Sequence, residues 1–164
     1  MVEVTSVVGN FRDELGKTFA AVGEAFPELY VVTADVSKST RSRMFGERWP
    51  DRFYSVGIAE ADAVGIAAGI ASFGGPVIFT AYGVFATEKP FEQIRNCLCY
   101  PNLNVKIVAT HGGISVGEDG ATHQAIEDIA IMRLTESDVV RHALVQRIIK
   151  AYEVDEERRN KKKP

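Results

Sequence analysis

The 164-residue chain reads as an α/β protein, a three-layer sandwich on a mainly parallel sheet. Two patterns carry that reading. Three short apolar runs rich in strand formers fall at 29–32, 77–80 and 105–109. The segments between them repeat their apolar residues at helical spacing. Strands separated by helices pair in parallel, because each helix carries the chain back across a face of the sheet.

Taken in order, Phe11, Leu15, Phe19, Val22 and Phe26 recur at steps of three and four. They mark an amphipathic helix, with Pro27 just beyond its end. The run 29–32 stops at Thr33-Ala34-Asp35, and a polar loop over 37–43 follows. Residues 59–72 are dense in Ala, Gly and Ile, which predicts a buried helix whose small side chains allow close packing. Gly74-Gly75-Pro76 signals a turn into the strand at 77–80. A helix over 87–99, with Phe91, Ile94 and Leu98 on one face, precedes the strand at 105–109. The glycine-rich loop 112–120 is expected to lead into a helix from His123 to about Arg133. Further on, Leu144, Val145, Ile148, Ile149 and Tyr152 predict another amphipathic helix, and 155–163 is nearly all charged. The expected division is one domain over residues 1–135, then a C-terminal helix and solvated charged tail over 136–164.

Composition narrows the classes. A hydrophobic content of 46% suits a chain that buries a real core. The net charge of −3 gives no general attraction to nucleic acid or to anionic membranes. No apolar run approaches the roughly 20 residues that span a bilayer. The start, Met1-Val2-Glu3-Val4-Thr5, lacks the basic and apolar regions of a signal peptide, so a cytoplasmic location is expected. Cys97 and Cys99 have no second pair to complete a zinc site and read as reduced thiols.

In parallel sheets ligands bind beyond the carboxyl ends of the strands. The loops after the three expected strands begin near Asp35, Ala81 and Thr110. Glu60 stands among Ile58, Ala59, Ala61 and Ala63. It is either a desolvated carboxyl that exchanges a proton with a ring nitrogen, or a first-turn acid facing water. Tyr82 and Phe85, three residues apart, either flank a flat heterocycle or pack in the core. Asp119 and His123 bracket Gly120-Ala121-Thr122, and His111 opens the same loop. Glycines let an acid and imidazoles converge there on a polar ligand; helix capping by Asp119 or Thr122 is the alternative. Arg12 and Ser39 suit either phosphate contacts or plain surface. Gly112-Gly113 lacks the context of a phosphate cradle, and no metal-ligand cluster stands out.

Four segments then occur in a telling order: Tyr54-Ser55-Val56-Gly57-Ile58-Ala59-Glu60, Ala81-Tyr82-Gly83-Val84-Phe85, Thr110-His111, and Gly117-Glu118-Asp119-Gly120-Ala121-Thr122-His123-Gln124. With them, the stretch from about Arg12 to Arg133 resembles the pyrimidine-binding domain of the transketolase family and its thiamine diphosphate-binding fold. The resemblance implies that Glu60 bonds the aminopyrimidine ring of thiamine diphosphate and activates the cofactor. It places Tyr82 and Phe85 against that ring and Asp35 among the cofactor-binding residues. It makes His111, Asp119 and His123 the holders of sugar hydroxyls, the two histidines aiding proton transfer. Arg12 and Ser39 match positions that bind the sugar phosphate. Tyr82 stands where phenylalanine is usual, and Glu88 where many members carry a further aromatic.

The family's second domain holds magnesium and the cofactor diphosphate with a G-D-G…N motif, which this sequence lacks. The resemblance therefore implies half a site. The chain is expected to be the pyrimidine-binding subunit, or a shortened form of it, of a split transketolase. Its expected partner is a diphosphate-binding transketolase subunit that carries the magnesium. Together they would move a two-carbon ketol unit between sugar phosphates; alone the chain would be inactive. Two alternatives stand beside this. One is a subunit related to deoxyxylulose-phosphate synthase or another 2-oxoacid-processing enzyme. The other is a truncated, non-catalytic interaction subunit. An apolar cofactor-side surface predicts a homo-oligomer, at least a dimer.

Overall fold

The computed structural model describes residues 9–132, which lie within one unit, Met1–Met132. The expected helix around 144–152, the charged run at 155–163 and the boundary at 135 lie outside the described residues. Among the described residues, four strands form the sheet: β1 (Tyr30–Thr33), β2 (Phe53–Ser55), β3 (Val77–Tyr82) and β4 (Val105–Thr110). Their order is β2-β1-β3-β4, and every pairing is parallel. Val31 faces Phe53 on one side and Ile78 on the other, and Phe79 pairs with Ile107. The α/β class and the parallel sheet match the expectation; the fourth strand, β2, was not anticipated. It is three residues long, too short to show a period of two.

Alternation along the strands builds two cores, one on each face. Phe19, Leu29, Val31, Phe45 and Ile78 pack together on the face covered by α1 (Phe11–Ala25) and α2 (Arg43–Arg48). Val32, Phe79, Ala63, Val64, Ala67 and Leu98 fill the other face, against α3 (Glu60–Ser72). These are the three layers. β3 is buried on both faces over Val77–Ala81, which is why it reads as an unbroken apolar run rather than an alternating one. Thr33 and Thr80 are also buried; Thr33 Oγ1 donates to the Thr80 carbonyl at 3.1 Å.

The helices follow from local chemistry. Asn10 caps α1 by accepting from the Arg12 amide at 3.0 Å. At Gly23 the helix meets α2 so closely that a Cβ would lie 2.5 Å from a Trp49 ring carbon. α2, which the sequence reading did not anticipate, begins where the expected polar loop ends. Half of its residues are charged, and its one fully buried anchor is Phe45, whose ring sits 5.0 Å from that of Trp49. The helix expected over 87–99 is in fact split. α4 (Gly83–Thr87) starts directly off β3, and α5 (Phe91–Gln93) runs into a wider π turn over Ile94–Cys99. Pro90, with no amide hydrogen, separates the two.

The helix expected from His123 is also corrected. Residues Gly117–Asp119 and Ala121–His123 form short 3₁₀ turns, and α6 (Asp128–Met132) begins only later. Gly120, at φ +72°, breaks the path between the turns. Gln124 is extended, so that Ala125 can bridge antiparallel to Gly113. No helix among the described residues is long and apolar enough to cross a membrane.

The chain visits β1, then β2 on one flank, then β3 on the other. The loops after β1 and β3 thus leave in different directions, opening a crevice at the carboxyl edge.

Candidate functional site

Backbone strain gathers at the carboxyl edge. Asp35, just past β1, has φ +60°, and His111, the first residue after β4, has φ +56°. Both side-chain types tolerate the left-handed region better than most. Each lets the chain turn sharply off the end of its strand. Gly57, at φ +80°, does the same between β2 and α3.

That turn delivers Glu60 to the first position of α3, where it is only 5% exposed. Of the two readings left open by the sequence, the water-facing acid is therefore excluded. The carboxyl is not alone, however. Lys89 donates to both of its oxygens, at 3.0 and 2.9 Å. The same ammonium lies 4.7 Å from the centre of the Phe85 ring. Lys89 thus joins the buried acid to the aromatic wall.

Phe85, Tyr82, His111 and His123 form one group. Tyr82 and Phe85 lie nearly parallel, 6.0 Å apart. His111 sits 4.0 Å from Tyr82, and His123 meets Phe85 edge-on at 5.0 Å. Tyr82 ends β3 and Phe85 lies one turn into α4, so the strand-to-helix junction sets their spacing. Gly83, between them, makes the approach of the histidine loop possible. A Cβ there would lie 3.0 Å from that of Ala125 and 3.6 Å from the Gly112 Cα.

Each imidazole is pinned by the threonine before it. Thr110 Oγ1 and His111 Nδ1 are 2.8 Å apart, and Thr122 Oγ1 and His123 Nδ1 are 2.9 Å apart. In both rings Nε2 is left as the nitrogen available to a ligand. The loop carrying His123 is tied at its base by the Gly113–Ala125 bridge and by Gln124 Nε2, which donates to the Ile114 carbonyl at 3.1 Å.

The His111 pKa is lowered from its usual value of 6.5. Burial is the largest cause, and the Arg12 guanidinium adds to it; Asp119 opposes both, and His123 lowers it further. Arg12 and His111 line one cleft of about 530 Å³, together with Phe11, Thr110, Ser115 and Gly117. The structure thus gathers Tyr82, Phe85, His111 and His123 by ring contacts and ties Glu60 to them through Lys89, with Arg12 and Asp119 within electrostatic reach. Asp119 is exposed. Neither it nor Thr122 stands at the N-terminus of α6, which begins at Asp128. Asp35 and Ser39 lie beyond β1 at the same end of the sheet, but make no hydrogen bond to this group among the described residues. No group of three or more His, Cys, Asp or Glu side chains suited to a metal occurs among the described residues.

Sequence reasoning missed Lys89 and the part the two threonines play in holding the imidazoles. The threonines left a trace, the Thr-His pair that occurs twice. Lys89 left none, because its partner is 29 residues away.

Comparison with known proteins bears on the family and the fold. The sequence profile of the family described as transketolase, pyrimidine binding domain, matches residues 9–154. A Methanocaldococcus jannaschii protein, provisionally named a transketolase C-terminal section, is 46% identical over 140 residues; the match covers 85% of this chain and 44% of that protein. The 1-deoxy-D-xylulose-5-phosphate synthase of Dictyoglomus thermophilum is 35% identical over 139 residues, covering 85% of this chain and 22% of the synthase. Among solved structures, a split-gene transketolase described as an inactive β4 tetramer matches with a TM-score of 0.63 at 46% identity. That match covers 75% of this chain and 39% of the other. The transketolase of Leishmania mexicana matches with a TM-score of 0.64 at 26% identity, covering 73% of this chain and 19% of that one. The chain therefore spans less than half the length of each of these relatives. With the profile matched along most of its length and the parallel sheet shared with solved transketolases, this chain belongs to the transketolase family as a pyrimidine-binding domain.

Proposed function

We propose that this chain is the pyrimidine-binding subunit of a split transketolase. A diphosphate-binding subunit would complete the site and carry the magnesium, and sugar phosphates would be the substrates. The observation that carries the proposal is the buried Glu60 carboxyl, set at the start of α3 and linked through Lys89 to the face of Phe85. A carboxyl beside an aromatic wall is the donor set that a flat, basic nitrogen heterocycle requires. The residues present therefore fit the pyrimidine part of thiamine diphosphate.

When bound, thiamine diphosphate supplies a nucleophilic carbon that accepts and releases the two-carbon ketol unit. The chain's own residues do the rest. Glu60 holds and exchanges a proton at a ring nitrogen, from a position buried away from water. Phe85 and Tyr82 fix the plane of the ring. His111 and His123, each with Nδ1 tied to a threonine, present Nε2 to substrate hydroxyls and move protons at them. Arg12 and Asp119 bias the charge of His111, and Arg12 stands in the cleft where a sugar phosphate would lie. Asp35 and Ser39 would contribute from the loop beyond β1.

The test is reconstitution with a diphosphate-binding subunit, assayed for ketol transfer from a ketose phosphate. Activity should appear only in the mixture. Glu60→Ala should lower it by at least about 10²-fold, the usual range for a positioned proton-transfer group. The variant's circular dichroism should stay native, because Lys89, itself half exposed, can retreat into water. Full turnover by Glu60→Ala would sink the assignment. Because the relatives include 1-deoxy-D-xylulose-5-phosphate synthases, pyruvate should be offered as a second donor; its use would shift the reading to that reaction.

A further inference from the structure

We infer that Lys89 is a displaceable plug of the pyrimidine site in the free chain. Its ammonium occupies both contacts that an aminopyrimidine ring would need. The inference rests on the function proposed above and adds how the site is kept before it is filled. A ring nitrogen bonded to Glu60 must come within about 3 Å of a carboxylate oxygen. A ring stacked on Phe85 must place its centre roughly 4.5–7 Å from that of the phenyl ring. Lys89 Nζ already sits 3.0 and 2.9 Å from the two Glu60 oxygens and 4.7 Å from the Phe85 centre. Ammonium and ring cannot hold these positions together.

The two partners of the ion pair differ in freedom. The Glu60 side chain is 5% exposed and fixed on α3, whereas the Lys89 side chain is 46% exposed and lies between α4 and α5. Separation therefore moves the lysine into water and leaves the carboxyl where it is. The lysine also has a use while the site is empty. A buried carboxylate without a partner is strongly unfavourable, and the ammonium neutralises it. Ring binding is thus an exchange of one partner of Glu60 for another. The free chain holds pyrimidines weakly because the lysine must first leave. Contacts that a second subunit makes to the rest of the cofactor would drive the exchange, and by linkage the exchange would strengthen that subunit's hold.

The experiment is calorimetric titration of the full chain with 4-amino-5-hydroxymethyl-2-methylpyrimidine. Lys89→Met keeps an unbranched aliphatic side chain at the position and removes the charge. It should bind the pyrimidine at least about tenfold more tightly than the wild type, while Lys89→Arg stays near the wild-type value. Equal binding by the wild type and Lys89→Met overturns the plug but leaves the ring-site reading standing. Binding by neither overturns both. Should Lys89→Met fail to fold, the wild type gives an independent readout: acetylation of Lys89 by acetic anhydride, followed by peptide mass spectrometry. Faster acetylation at saturating pyrimidine supports displacement, and an unchanged rate overturns it.

Discussion

His111 shows how single residues are tuned at this edge. Its pKa lies below 6.5, first because it is partly buried and second because Arg12 stands near it. Between that lowered value and 6.5 the unfolded chain binds more protons at this site than the folded one. This residue's contribution to stability therefore falls as pH drops through that window and is restored as pH rises above it. Arg12→Gln removes a lowering influence and should raise the His111 pKa; Asp119→Asn removes the opposing one and should lower it further. Following the imidazole proton resonances against pH checks both signs. At this scale the sequence was informative where chemistry is local. Glu60, Tyr82, Phe85, His111 and His123 each stand in a short glycine-marked segment, and the structure brings all five into one neighbourhood. Lys89 was invisible because the contact that gives it meaning is purely tertiary. Asp35 was legible as a loop residue after β1, but nothing local revealed its left-handed backbone.

The junction from β3 to α4 is the element on which the site turns. It holds Tyr82 and Phe85 in place and, through Gly83, admits the Gly113–Ala125 bridge that carries His123. Gly83→Val should force the bridge outward and cost about 1–3 kcal/mol, the usual penalty for overpacking. A lower urea midpoint at unchanged slope would show the loss, with His123 resonances shifting more than those of residues in α1. β1, β3 and β4 could be read from the sequence because each carries a continuous or nearly continuous apolar run. α2 and β2 could not. α2 is a charged helix held by one phenylalanine, and β2 takes its strand form from pairing with β1 rather than from its own three residues. The region after His111 looked like loop then helix because Ala121-Thr122-His123-Gln124 has no strong breaker of its own. The bridge to Gly113 decides its conformation, and that contact is again tertiary.

At the scale of the molecule, exposed apolar side chains cluster along the histidine loop and α6: Ile114, Ile126 and Ile129 are each more than 70% exposed. Surfaces of this kind are usually covered in the working protein. Sedimentation of the pure chain should give a dimer or larger species without ketol-transfer activity, and a monomer at micromolar concentration would contradict that expectation. The strand order has a separate consequence, for the history of the fold rather than its use. β1 has a neighbour on each side, yet it precedes both of them in the chain. Its neighbour β2 follows soon after, but Thr33 meets Thr80 only across 47 residues of chain. During synthesis β1 therefore waits with one edge bare until β3 has emerged. No hairpin can shorten that wait, since every pairing is parallel and needs a long crossover. The sheet is thus built outward from a strand that cannot be completed early, the kind of long-range parallel pairing that slows folding.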